Sequence, residues 1–262
     1  IITLSDGSRL YLPGSSLFSL TAVPAEIDFY NIDTTQQFPL GSKLELDDWT
    51  FRYVEFGNTT AAGDLLQAEG PDGAHDDLDP TGTGTGAGVA AGDTIISIAS
   101  SITLIENEYE GGTLTVEADT GAGYSYIIES NEAVSSAANA NVVIKRGLAV
   151  AIAAGSDVKL VKSRWKEVIE APTTLTAALV GVSVGIGADG SFGWVCSKGP
   201  WAVLTESSTD VPVVGGMVTA SDETAGAVEG YDEDDTVNRT IVGHVVDLAG
   251  DGEFSVVNIM LD

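Results

Sequence analysis

Apolar positions along this chain fall at every second residue or in short runs. Thr113-Leu114-Thr115-Val116-Glu117, Tyr124-Ser125-Tyr126-Ile127-Ile128, Asp157-Val158-Lys159-Leu160-Val161 and Phe254-Ser255-Val256-Val257-Asn258-Ile259 are rich in β-branched residues and lie between glycines and acids. Successive side chains of a strand point to opposite faces, so this periodicity predicts half-buried strands. Trp49-Thr50-Phe51-Arg52-Tyr53-Val54-Glu55-Phe56 adds another, with Phe51, Tyr53 and Glu55 on one face. Turn signals recur at roughly ten-residue spacing, the layout of sandwiches and small barrels. One helix is expected, Asn131 to Ala140, alanine-rich behind an asparagine at the cap position and short. The prediction is an all-β protein of small β-barrel or β-sandwich modules, with an extended N-terminal arm and at most one short helix.

Composition divides the chain into four. Residues 1–48 hold isolated apolar positions, the prolines Pro13, Pro24 and Pro39, and little alternation. They read as an extended arm that orders against another surface, and their deletion is expected to leave a folded β-core. Residues 49–93 form a first β segment ending in a loop. From Glu69 to Gly92 the chain turns to Pro, Gly, Asp and Thr, including Thr81-Gly82-Thr83-Gly84-Thr85-Gly86, as in a flexible linker. Residues 94–170 form a middle β module, either separate or completing the barrel of the last segment. Ala171-Pro172 opens the C-terminal β module, 171–262. Ala61-Ala62-Gly63-Asp64, Ala90-Ala91-Gly92-Asp93 and Ala153-Ala154-Gly155-Ser156-Asp157 share a pattern. It reads as recurrent turn chemistry: glycine takes a positive φ and the aspartate satisfies nearby N–H groups.

Charge narrows the function classes. The 262 residues include 39 Asp and Glu against 11 Lys and Arg, a formal net charge of −28. Such a surface repels phosphate backbones, so no nucleic-acid partner is expected. The length supports a buried core. Cys196 is the single cysteine and His75 and His244 the only histidines, so an intrachain disulfide and a cysteine- or histidine-rich metal site are excluded. No run reaches the ~18 apolar residues of a membrane span, and the most apolar stretch, Leu175 to Ile186, is broken by Gly181 and Gly185. Ile1-Ile2-Thr3 carries no basic segment or cleavage site and does not read as a signal peptide.

Motifs with chemistry are sparse. Gly86-Ala87-Gly88-Val89-Ala90-Ala91 has dinucleotide-loop spacing, but it follows a linker and opens no helix. No phosphate loop or nucleophile elbow occurs. Cys196 and His244 could pair as nucleophile and base, yet both sit in strand-like surroundings and read as structural. His75, in an acidic loop, reads as solvated. Asp76-Asp77-Leu78-Asp79 and Asp232-Glu233-Asp234-Asp235 offer hard oxygen ligands for calcium but lack its loop spacing, and read as solvated loops. Paired carboxylates for glycoside hydrolysis lack accompanying aromatic platforms. Lys198-Gly199-Pro200 could display a lysine on a hairpin tip, but without a carrier-domain attachment sequence. Asn58-Thr59-Thr60 and Asn238-Arg239-Thr240 match a glycosylation acceptor that is common by chance. No catalytic, cofactor-binding or metal residue is assigned, and no cofactor is expected.

Four stretches carry a resemblance. Trp49 to Gly57, followed by Ala61-Ala62-Gly63-Asp64, resembles a segment of head-associated structural proteins of tailed phages, particularly aquatic ones. Glu110-Gly111-Gly112-Thr113-Leu114 leading to Gly121 through Asn131 is similar to the same family. So are Gly181-Val182-Ser183-Val184 leading to Phe192 through Pro200, and Ile241 through Val246 preceding Glu253-Phe254-Ser255-Val256. The resemblance covers residues 49–262 and brings no catalytic motif with it.

It implies a virion structural protein: a capsid decoration or cement protein made in the host cytoplasm. Such a protein binds the outer surface of the head and links neighbouring subunits of the major capsid protein, here as a homotrimer, with no enzymatic activity and no membrane partner. The arm would tie subunits by adding a strand to a neighbour's sheet edge. The acidic exterior would keep particles apart. Two readings compete. A phage tail or fibre adhesion module calls for exposed aromatics in a cleft, which the scattered tryptophans do not suggest. A secreted calcium- or carbohydrate-binding β-protein calls for metal-dependent melting. A major shell protein would bring long helices, which the periodicity does not show.

Overall fold

The computed structural model describes residues 1–13, 25–81, 88–98, 103–135, 139–206, 208–233 and 240–262. Its regular structure is antiparallel strands and one 3₁₀ turn at Gly73–His75, so the all-β class stands. Among the described residues no helix is long and apolar enough to cross a membrane. The chain divides into two compact units. The first takes residues 1–13, 25–70 and 164–262, and the second is inserted between them as residues 71–163.

In chain order the first unit contributes β1 (Ile2–Thr3), β2 (Arg9–Tyr11), β3 (Lys43–Leu46), β4 (Trp49–Glu55) and β5 (Leu65–Gln67). The inserted unit follows with β6 (Pro80–Thr81), β7 (Ile95–Ile98), β8 (Thr113–Val116), β9 (Ser125–Asn131), β10 (Ala140–Ile144) and β11 (Val158–Val161). The first unit resumes with β12 (Ile169–Glu170), β13 (Leu179–Ser183), β14 (Phe192–Leu204), β15 (Met217–Ala220), β16 (Val228–Gly230), β17 (Gly243–Asp247) and β18 (Phe254–Met260).

The main sheet runs β1-β2-β3-β4-β14-β18-β17-β15-β16, and β14 also pairs β13, which continues through β5 to β12. The 13-residue β14 makes this branching possible. Its first half pairs β4 from Phe192↔Glu55 to Lys198↔Thr50, and its second half pairs β18 from Lys198↔Met260 to Leu204↔Phe254. A bulge between Cys196 and Lys198, followed by Gly199 at φ 102°, re-aims the strand between partners. The result is a branched open sheet rather than a closed barrel. β5 pairs both β12 (Ile169↔Gln67) and β13 (Val182↔Leu65), so the chain leaves and re-enters the first unit on neighbouring strands.

Period two decides the burial. Trp194 and Cys196 of β14 join Phe51, Tyr53, Leu10 and Leu44 in one apolar cluster. Val195, facing the other way, joins Val54, Phe56, Leu66 and Val180 in a second. Val203 belongs to a third with Val218, Val228, Val257 and Ile259. β4 is thus buried on both faces: Phe51 and Tyr53 share a side as expected, while Val54 and Phe56 face the other cluster. The inserted unit has one sheet, β11-β8-β9-β10-β7-β6, and its own core, in which Ile96, Ile98, Leu114, Val116, Ile128, Val142 and Leu160 pack under loop residues Leu104, Tyr109 and Ile152.

Several expectations change. The described part of residues 1–48 is no extended arm: β1–β3 extend the main sheet, and Leu4, Leu10, Phe38 and Leu44 are buried. Isolated apolar residues looked unstructured because their partners lie on β4 and β14. No helix forms over the described part of 131–140. Asn131 ends β9, Val134 bridges Leu104 and Ala140 opens β10, while 136–138 lie outside the described residues. The loop from Glu69 to Gly92 is partly packed, with Leu78 bridging Val158 and Val89 bridging Ile152, while 82–87 lie outside the description. The four-part division gives way to one discontinuous unit and one insert. The recurrent turns do share geometry: Gly63, Gly92 and Gly155 sit at φ 89°, 93° and 90°. The Asp64 and Asp93 carboxylates accept the N–H of Ala61 and Ala90.

Three outcomes follow. Deleting residues 1–48 should abolish cooperative unfolding of the first unit, seen as loss of near-ultraviolet circular dichroism. The point substitution Trp194→Ala should cost about 3–5 kcal/mol in urea denaturation. A fragment of residues 71–163 should fold alone, because its apolar cluster contains only its own residues, and melt cooperatively by far-ultraviolet circular dichroism.

Candidate functional site

An open apolar groove of about 440 Å³ crosses the outward face of the first unit where β14 meets β18. The register pairs Ala202 with Val256 and Leu204 with Phe254, and alternation sends Val203 and Val257 inward and Ala202, Phe254 and Val256 outward. Tyr30 closes one side at 59% exposure, and Phe254 stands out from the other at 50%. Trp201 lies between aromatic supports. Its ring meets Phe51 edge-on at 5.5 Å and Tyr30 tilted at 6.2 Å between centroids, while Phe29 stacks on Phe51 at 4.6 Å. Aromatic pairs at these separations hold a ring firmly, and Trp201, which pairs with Val257 and packs half-buried against the inner clusters, borders the groove. Gly63 forms the floor: a Cβ there would come within 2.5 Å of the Phe254 ring.

The groove is lined by aliphatic and aromatic side chains, proline and glycine, with the Tyr30 phenol as the titratable group. It holds no nucleophile, no base and no set of metal ligands. What it can do is take an apolar or aromatic side chain, or stack against a flat ring. Covering a large exposed apolar side chain is worth about 1.5–3 kcal/mol, so Phe254 and Tyr30 are the natural anchors, with half-buried Trp201 between them. Sequence reasoning found no aromatic cleft; the structure forms one from Tyr30, Trp201 and Phe254, which come from three distant segments. The β14–β18 register brings Trp201 and Phe254 together, and ring contact sets Tyr30 beside Trp201.

The sequence candidates fall elsewhere. Cys196 is fully buried; burial pushes its thiol up to about 12, and its Sγ lies 3.4 Å from the Lys198 carbonyl oxygen. His244, on β17, pairs with Asn258 and is separated from β14 by β18, so the two form no dyad. His75 is not solvated. The 3₁₀ turn folds its ring into the inserted unit, where Nδ1 hydrogen-bonds the Tyr109 hydroxyl. Lys198 is exposed, but it sits at the β14 bulge between β4 and β18 rather than on a hairpin tip. Asn58 accepts the Glu170 N–H at 3.2 Å, and Asn238 lies outside the described residues. Of Gly86 to Ala91, Val89 is buried and the first two residues lie outside the description.

The acidic loops also separate. Carboxylate oxygens of Asp76, Asp77 and Glu117 lie within 4.8 Å of one another. A cation is already present, because Lys159 pairs with Glu117 and stands 3.4 Å from Asp76. Glu117 first, then Asp76, hold the Lys159 ammonium above its ordinary range. Asp232 and Glu233 are exposed, and Asp234 and Asp235 lie outside the described residues.

No family model, curated protein or solved structure matches this chain.

A thiol buried in this way is inert. Cys196 should stay unlabelled by Ellman's reagent at pH 8 in the native protein and react stoichiometrically in guanidinium chloride. Native labelling at the denatured rate would contradict the burial.

Proposed function

We propose that this chain is a non-catalytic virion structural protein that decorates the outer surface of a tailed-phage head and cements neighbouring subunits of the major capsid protein, acting as a homotrimer. The observation that carries the reading is the uncharged aromatic groove around Trp201 on a chain of net charge −28. Acids spread over the rest of the surface favour solubility and repulsion between particles. The groove is where a partner's apolar side chain can be desolvated. The resemblance of four ordered stretches between residues 49 and 262 to phage head proteins supplies the kind of partner. Attachment through a free N-terminal arm drops out of this proposal, because β1–β3 belong to the main sheet.

A second reading has an observation of its own. Exposed Tyr30 beside Trp201 is also a platform for the flat face of a sugar, as an adhesion module of a tail or fibre would use. The groove lining offers few polar groups to orient sugar hydroxyls, which favours the apolar partner.

Co-sedimentation of the purified protein with expanded heads lacking it, across a salt series, tests both. The cement reading expects saturable binding at a fixed ratio to the shell subunit and a raised melting temperature of the head. Trp201→Ala and Phe254→Ala should each weaken that binding by at least about tenfold, the equivalent of 1.4 kcal/mol. Absence of head binding, together with glycan-array binding lost in Trp201→Ala, would replace cementing with adhesion.

A further inference from the structure

Away from the groove, the first unit exposes a second apolar patch where the chain enters β15. Pro212 is buried, while Val211 and Val213 on either side of it are exposed, so the segment alternates like a strand with apolar residues on its outer side. The Gly216 N–H closes a turn on the Val213 carbonyl at 2.8 Å. The Gly215 N–H donates to the Val245 carbonyl at 2.8 Å, which lays that turn against β17. Tyr231 stands next to Met217, donating its N–H to the Met217 carbonyl at 3.0 Å, and Met217 pairs with His244. Val218 and Val245 belong to the inner cluster, so alternation sends Met217 and Val246 outward. Val211, Val213, Val214, Met217, Tyr231 and Val246 are 37–64% exposed.

The size of the patch is that of a contact surface. Six large side chains, each about half exposed, present on the order of 500 Å² of apolar surface, a patch size that is often functional. A standard interface covers about 800 Å² on each partner, of which about 60% is apolar. The patch supplies that apolar share.

Charge selects the occupant. None of the six residues is charged, on a chain of net charge −28. The exposed acids Asp232 and Asp247 adjoin the patch along the chain and lie outside it, where water screens them. A basic partner would find its contacts on the acidic remainder of the surface. A second copy carries the same charge, so copies approach closely only where both faces lack acids. This patch meets that condition with itself: apolar area is covered on both sides and no charge is left buried and unpaired.

We propose that this patch is the surface through which copies of this chain meet, converging on the three-fold axis of the homotrimer and leaving the groove to the shell protein. The number of copies rests on the function proposed above; the choice of surface rests on the patch.

The test is sedimentation equilibrium of the full chain without heads, from low micromolar to submillimolar concentration, in about 0.1 M and about 1 M NaCl. Over that range the screening length falls from about 10 Å to about 3 Å. An apolar contact between like-charged copies should therefore tighten with salt, whereas one made by ion pairs weakens. The parent should associate as a trimer. Met217→Asp and Val246→Asp should each weaken association by at least about tenfold, with the near-ultraviolet circular dichroism of the parent retained. Ile186→Asp, exposed outside the patch, and Phe254→Ala, in the groove, should associate as the parent does. The surface is overturned if the parent is a monomer throughout, if salt dissociates it, if both patch variants associate like the parent, or if Ile186→Asp weakens association equally. An oligomer of another size that the patch variants dissociate upholds the surface and overturns the homotrimer. A monomer that still saturates heads overturns the surface and leaves cementing in place.

Discussion

The first unit depends on one strand meeting two sets of partners. β14 must hold β4 along its first half and β18 along its second, while lending an edge to β13. β4 takes one edge, β13 and then β18 take the other, and a bulge at Cys196–Lys198 with a positive φ at Gly199 bends the strand at the hand-over. A Cβ at Gly199 would stand 2.8 Å from the Asp48 carbonyl and 2.9 Å from the Trp49 ring, so the bend needs glycine for space as well as for φ. Around this strand the apolar clusters divide by parity, with Trp194 and Cys196 in one, Val195 in the next and Val203 in a third.

The groove is a by-product of the same constraint. Where β14 leaves β4 for β18, the outward residues of both strands no longer face a covering layer, and Trp201 is left half-buried over Phe51. The rare cations are spent on structure nearby. Arg52 on β4 donates to both carboxylate oxygens of Asp262, at 2.6 and 3.2 Å, and to the Gly41 carbonyl at 3.1 Å. Arg52 and Arg164 both lie over the Trp165 ring, at 5.2 and 4.4 Å. This clamp holds the chain after β18 against β4; a partly buried, bidentate pair of this kind is stronger than an ordinary surface ion pair. With few bases available, acids elsewhere turn to hydroxyls and amides, as Glu223 does with Ser208 and Thr209. Glu206 accepts the Ser208 N–H with one oxygen, while its other buried oxygen accepts no hydrogen bond.

Placing an insert between β5 and β12 reconciles an odd composition with a stable fold. The two strands are neighbours, so 93 residues can leave and return without opening the first sheet. Pro, Gly and Asp at the exit looked like a linker, yet the same stretch contributes Leu78 and Val89 to the insert's core.

The sequence by itself determined the all-β class, the positions of β4, β8, β9, β11 and β18, the glycine–aspartate turns and the inertness of Cys196. Each of these rests on contacts a few residues apart: alternation, β-branching, a glycine that alone adopts a positive φ. Only the tertiary structure decided that residues 1–13 and 25–48 build the main sheet, that 131–140 carries no helix across its described residues, that His75 is buried, and that Tyr30, Trp201 and Phe254 meet. It also laid the turn at Val213–Gly216 against β17. These depend on pairings between residues 20 to more than 200 positions apart, and no local pattern encodes which distant strand will supply the partner.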